Sequence, residues 1–143
     1  MRVGIDARLL AAPITGIGRY IWQLSRELFN QDGEFFLYMP GKPTVGTYSA
    51  PNVHIRSMGV SGRAGRVLWS QTVAPWLAAR DRVDVFWGGA HRLPHFLPSS
   101  IARVVTIHDL VWKHAGETMR PLSRWMEQRL MPEAVRLADR IVA

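Results

Sequence analysis

The sequence predicts an α/β protein, a parallel β-sheet with helices on both faces. Two observations predict it. Short apolar runs alternate along the chain with longer stretches of helical period, and "VDVFWGG" and "ARVVTIHDL" are β-branched and apolar over nearly their whole length, as strands covered on both sides are. A third, the length of 143 residues with 48% hydrophobic content, allows one respectable core and therefore one domain over residues 1–143.

Taken in order, "RVGIDA" reads as a short strand, and Gly18 to Phe29 places Ile21, Trp22, Leu24, Ser25 and Leu28 near one helical face. "EFFLYMP" is a second strand stopped by Pro40, and "NVHIRSM" alternates as a third. The glycine-rich "GVSGRAGR" reads as a loop. From Ala64 to Arg80 the helical period returns through Trp69, Val73, Trp76, Leu77 and Arg80, with Pro75 as a kink. The two strands quoted above follow as the central pair. From Arg120 to Arg140 one stripe runs through Leu122, Trp125, Met126, Leu130, Ala134, Leu137 and Ala138, and Pro132 before Glu133 reads as a fresh helix start. The closing "RIVA" opens another strand. Right-handed crossovers between parallel strands gather the loops after residues 2–7, 83–87 and 103–107 on one edge, where such sheets hold ligands.

Composition narrows the partners. The net charge of +7 rests on sixteen arginines against two lysines, and guanidinium suits fixed contacts with phosphate or carboxylate. No acid lies between Glu34 and Asp81, while Lys42, Arg56, Arg63, Arg66 and Arg80 do. That window is either a solvated surface or a face meeting anionic membrane lipid or a phosphorylated acceptor. Basic residues are otherwise dispersed and no nucleic-acid motif is present, so nucleic acid ranks last among partners. There is no cysteine, which excludes disulfides and thiolate metal sites. The N-terminus is too charged for a signal peptide and no window reaches eighteen apolar residues, which predicts a cytoplasmic, non-spanning chain.

Three stretches carry candidate chemistry. In "TGIGRY", Thr15 is a candidate N-cap, Gly16 and Gly18 permit close backbone approach or positive φ, and first-turn amides are left to bind an anion. Arg19 is a cation where the helix dipole disfavours one, which suggests that negative charge arrives from outside. The alternative is a turn that needs flexibility. The spacing is neither GxGxxG nor a P-loop. In "VVTIHDL", His108 and Asp109 fall at the carboxyl end of a central strand, as a hydrogen-bonding imidazole with an orienting carboxylate or as a strand-end cap and turn residue. In "FWGGAHRLPHFLP", Gly88, Gly89 and His91 end a strand and open a loop suited to a polyhydroxylated or phosphorylated ligand, or simply packed on the sheet edge. His91 and His95 have metal-pair spacing only on a helix, which Pro94 disfavours, so no metal site is expected. No GxSxG or HExxH occurs. Of the six tryptophans, Trp22, Trp69, Trp76 and Trp125 read as core, and Trp87 and Trp112 as crevice candidates.

In combination "GIDARLL", "TGIGRYIWQL", "VDVFWGGAHRLPHFLP", "VVTIHDLVWKHAGETM" and "LADRIVA" resemble the N-terminal half of family 4 glycosyltransferases, particularly bacterial mannosyltransferase-like members. The resemblance covers essentially the whole chain. It implies the GT-B architecture, in which a Rossmann-like N-terminal domain binds the acceptor and a second domain binds the nucleotide sugar. It implies transfer with retention, no cofactor or metal, a donor such as GDP-mannose, and a glycan or lipid-linked acceptor of surface polysaccharide synthesis. Gly16, Gly18, Arg19 and Tyr20 would then approach the donor diphosphate or an acceptor phosphate, His108 would lie beside the transferred sugar, and Asp109 would shape the acceptor side. The family's E-x7-E glutamate pair is missing, so the sequence is expected to be a truncated half, inactive alone, lacking the C-terminal domain. The competing expectation is a non-catalytic α/β module that binds a phosphorylated ligand. A reading frame continuing into an E-x7-E domain separates the two.

Overall fold

The computed structural model describes residues 1–44, 46, 50–60, 62–110 and 116–143. Among these residues six strands make one sheet: β1 (Arg2–Asp6), β2 (Glu34–Met39), β3 (Val53–Ser57), β4 (Val85–Gly88), β5 (Ala102–Thr106) and β6 (Arg140–Val142). Their order is β3-β2-β1-β4-β5-β6 and every pairing is parallel, the Rossmann arrangement. Among the described residues three helices pack on it, α1 (Gly16–Leu28), α2 (Arg63–Arg80) and α3 (Pro121–Leu137), with 3₁₀ turns at Arg8–Ala11 and Gly116–Thr118.

The continuous apolar strands follow from helices on both faces. Along β2, Phe35, Leu37 and Met39 join the cluster under α1, with Val3, Ile5, Ile21 and Trp87. The alternate residues Phe36 and Tyr38 point the other way, into a cluster with Phe86 and Val105, Trp69 and Leu77 of α2, and Ala134 of α3. A strand that serves two cores has no polar face to show, which is why these runs do not alternate. At the start of α1, Thr15 Oγ1 accepts from the Gly18 amide at 3.2 Å and closes the cap.

Four expectations are corrected. Pro132 does not restart a helix: α3 runs through it unbroken, and the neighbours Met131 and Ala134 are both buried. Their packing offsets the roughly 3 kcal/mol that an interior proline costs. The loop read over 59–66 yields to helix at Arg63, where Gly62 at φ +75° provides a turn that a side chain would strain. Trp76 and Trp125 are not core; they are 59% and 57% exposed. Each lies beside the inward stripe, and Arg80 lies 5.6 Å over the Trp76 ring. Leu24 and Leu122 are likewise exposed, because the sheet covers a narrower band of each helix than the apolar pattern spans.

Candidate functional site

Strand order reverses between β1 and β4. One connection leaves β1 for α1 on one face, while α2 reaches β4 from the other, so a crevice opens beyond their carboxyl ends. Three segments meet there: the first turn of α1, the loop after β4, and the end of β5. Two glycines let them meet. A Cβ on Gly88 would lie 2.0 Å from the Arg92 carbonyl oxygen, and one on Gly89 would lie 2.7 Å from Ile21 Cγ1 in α1.

His108, just past β5, is anchored from two sides. Its Nε2 lies 2.8 Å from the Gly89 carbonyl oxygen. A carbonyl only accepts, so Nε2 carries a proton and the lone pair of the neutral ring is on Nδ1. Its backbone amide donates to His91 Nε2 at 3.0 Å, which leaves the His91 proton on Nδ1. That Nδ1 faces Glu127 Oε2 of α3 at 3.4 Å, a long contact. His91 is buried and held at φ +61°, a left-handed conformation that persists only where surrounding contacts impose it. Tyr20 of α1 packs its ring edge on His108 with centroids 4.7 Å apart. The imidazole therefore shares the crevice with the amide end of α1.

At that end the Gly18 amide is taken by Thr15, and the Arg19 amide donates to the Thr15 carbonyl at 2.9 Å. Helix geometry supplies no acceptor for the amides of Gly16 and Ile17. Gly16 is exposed, with nothing within 4 Å of a would-be Cβ. Arg19 is exposed and has no ion pair among the described residues. Neither Gly16 nor Gly18 has positive φ, so close approach rather than backbone handedness explains them.

A second group lies beside the crevice, and the sequence pattern did not disclose it. Asp6 at the end of β1 pairs with Arg8, whose Nη2 also donates to the Ala90 carbonyl at 2.9 Å, tying the loops after β1 and β4 together. Arg92 Nη2 donates to Glu127 Oε1 at 2.8 Å. Burial pulls the Arg8 guanidinium down to about 9, Arg92 adds to that, and Glu127 opposes it. Burial raises the Glu127 carboxyl, but His91 and then Arg92 outweigh it and hold the group below its ordinary value. A signal for Asp6 did exist, since an acid ending a central strand has the same placement as Asp109. Glu127 had none: its partners are 35 and 36 residues away in sequence.

Of the predicted site residues, the structure brings Tyr20, Gly89 and His91 each into contact with His108. Gly16, Gly18 and Arg19 lie at the same edge on α1. Gly88 and Gly89 are buried and act in packing, and Asp109 is exposed at the end of the β5 segment. Trp87 is buried and its Nε1 donates to Thr106 Oγ1 at 3.0 Å, which removes it as a stacking platform. Trp112 lies outside the described residues. His91 and His95 take separate partners, His91 facing Glu127 at 3.4 Å and His95 facing Glu133 at 3.3 Å.

Residues 14–143 match the family described as Glycosyltransferase Family 4. No curated protein matches the chain.

Proposed function

The chain belongs to glycosyltransferase family 4, and from that premise we propose that it is the acceptor-side domain of a retaining glycosyltransferase. It transfers a sugar, mannose in this reading, from a nucleotide donor such as GDP-mannose to a glycan or lipid-linked acceptor at the cytoplasmic face of the membrane. The observation that carries the reading is the contact of Tyr20 with His108, which brings the first turns of α1 beside an imidazole fixed by Gly89. In the transfer the bond from the anomeric carbon to the donor diphosphate breaks and a bond to the acceptor oxygen forms. The acceptor's proton leaves on the departing diphosphate. Charge grows on that diphosphate, and the amides of Gly16 and Ile17 with the Arg19 guanidinium are suited to receive it. His108 Nδ1 accepts from a sugar hydroxyl, a positioning rather than a proton-abstracting role, and Asp109 shapes the acceptor side. Gly88, Gly89 and His91 form the floor that holds His108. The second domain supplies the remaining donor contacts and excludes water.

The test is a screen of nucleotide sugars with the complete enzyme, reading released nucleoside diphosphate. One donor should be turned over. Arg19→Ala should lower kcat/KM about tenfold, the loss of one charge-assisted contact. His108→Ala should lower turnover with unfolding unchanged. No released diphosphate with any donor defeats the proposal, and unchanged kinetics in Arg19→Ala removes the anion site from it.

A further inference from the structure

Between the Arg8–Ala11 turn and the first turns of α2 and α3 lies a cavity of about 290 Å³, lined by Arg8, Arg66, Arg92 and Glu127 among others. Arg8 is paired with Asp6 and Arg92 with Glu127. Arg66 has no carboxylate partner among the described residues, so the cavity carries an excess positive charge. Arg92 Nε is buried without a hydrogen-bond partner among the described residues, and the first turn of α2 has no acid to balance Arg66. Arg8 and Arg92 also repel each other, and an anion placed between them relieves that repulsion.

A second hollow of about 360 Å³ runs between α2 and α3 and shares Val67 and Met126 with the first. Leu68, Leu122, Trp125 and Leu130 complete most of its wall. Leu68 is 65% exposed and Leu122 52%, large apolar groups laid open to water on adjoining helices. Its polar lining is Gln71 and Arg129. The Gln71 amide is already committed, donating to the Leu93 carbonyl at 3.3 Å and accepting from the His95 amide at 2.9 Å. Sugar hydroxyls laid in this groove would lose water and find few partners, which disfavours a free glycan there.

We propose that the two hollows are one continuous site for a phosphorylated amphiphile, with a phosphate or diphosphate head among Arg8, Arg66 and Arg92 and an aliphatic chain along the α2–α3 groove. The head fits the guanidinium cluster, the chain fits the apolar wall, and the shared Val67 and Met126 place the junction between them. This rests on the transferase reading above and deepens it, making a lipid phosphate rather than a free glycan the acceptor class.

The experiment measures binding of monomeric decyl phosphate, hexyl phosphate, decanol and inorganic phosphate to the chain by calorimetry, with tryptophan emission as a second signal. Each fully buried methylene is worth about fourfold in affinity, so decyl phosphate should bind at least about tenfold tighter than hexyl phosphate even when its chain is partly covered. Arg66→Ala should weaken decyl phosphate about tenfold and leave decanol unchanged. Trp125→Ala, at an exposed position that threatens no core, should shrink the difference between the two chain lengths. Equal affinity for hexyl and decyl phosphate, or no effect of Arg66→Ala, overturns the proposal. So does binding to phosphatidylglycerol vesicles without binding to monomeric decyl phosphate, which would assign the face to a bulk membrane surface. Diphosphate release with a soluble acceptor but no decyl phosphate binding sinks this inference alone. Decyl phosphate binding without turnover of any nucleotide sugar sinks the transferase reading and leaves the site.

Discussion

Glu127 is the carboxylate on which the Arg92 guanidinium and the His91–His108 contact converge. Its Oε1 takes Arg92 at 2.8 Å while Oε2 faces His91 at 3.4 Å, so a single side chain of α3 orders both the loop after β4 and, through His91, the backbone of His108. The folded carboxyl titrates below its unfolded value of 4.5, so it stabilises the protein fully above that pH and loses the contribution as pH falls through the folded value. Glu127→Gln should therefore flatten the acid limb of a urea-denaturation series and lower stability at pH 7 by about 2 kcal/mol, the cost of leaving the part-buried Arg92 guanidinium without its carboxylate. An acid limb identical to that of the parent protein would show that Glu127 is not the coupling group. His108 was legible in the sequence because a strand's carboxyl end is a defined place in a parallel sheet. Glu127 was not, because helical period reports which face is apolar and says nothing about a lone acid meeting a loop from another crossover.

The close approach of α1 to the end of β4 is set by glycine, and three glycines separate packing from access. At Gly88 an added Cβ would overlap a backbone oxygen, which no rotamer change relieves. At Gly89 it would press on the Ile21 and Trp87 side chains, which can give a little, and at Gly16 it would meet nothing. Chemical unfolding of the three alanine variants should rank Gly88→Ala as most destabilising, about 3 kcal/mol, with Gly89→Ala at about 1–2 kcal/mol. Gly16→Ala should be neutral or slightly stabilising, since alanine favours helix. A Gly88→Ala protein as stable as its parent would mean that the loop after β4 is not pinned there. From sequence all three looked alike, as pairs of glycines beside helix and strand ends. Only the distance to the neighbour distinguishes them, and that neighbour is set by tertiary packing. The same limit explains α3: proline chemistry marks Pro132 as a start, and only the burial of Met131 and Ala134 shows that the helix continues.

Across the whole molecule, some polar contacts that lock helices onto the sheet involve no residue of the crevice. The six strands and their parallel pairing were legible because apolar runs of strand length recur between helices, whereas their order and the polar contacts that lock the layers together leave no periodic trace. The largest of these is Asp81 at the end of α2. It receives Arg56 Nε at 2.9 Å and Nη2 at 3.0 Å from β3, and the Tyr38 hydroxyl at 3.2 Å from β2. The Asp81 hydrogen bonds push Arg56 up, while burial and then Asp81 push the Tyr38 hydroxyl up, so both keep their protons over the ordinary pH range. Removing the carboxylate strands a guanidinium and a phenol that it held from two strands. Asp81→Ala should cost about 3 kcal/mol and lower Tm by roughly 10 °C for a chain of this size. Among the described residues no hydrogen bond or ion pair of His108 or Arg66 involves Asp81, so decyl phosphate affinity and the Arg66 dependence should remain at the parent values below the new Tm. A variant that unfolds earlier and also loses binding at low temperature would instead join the α2–β3 contact to the crevice as one cooperative unit.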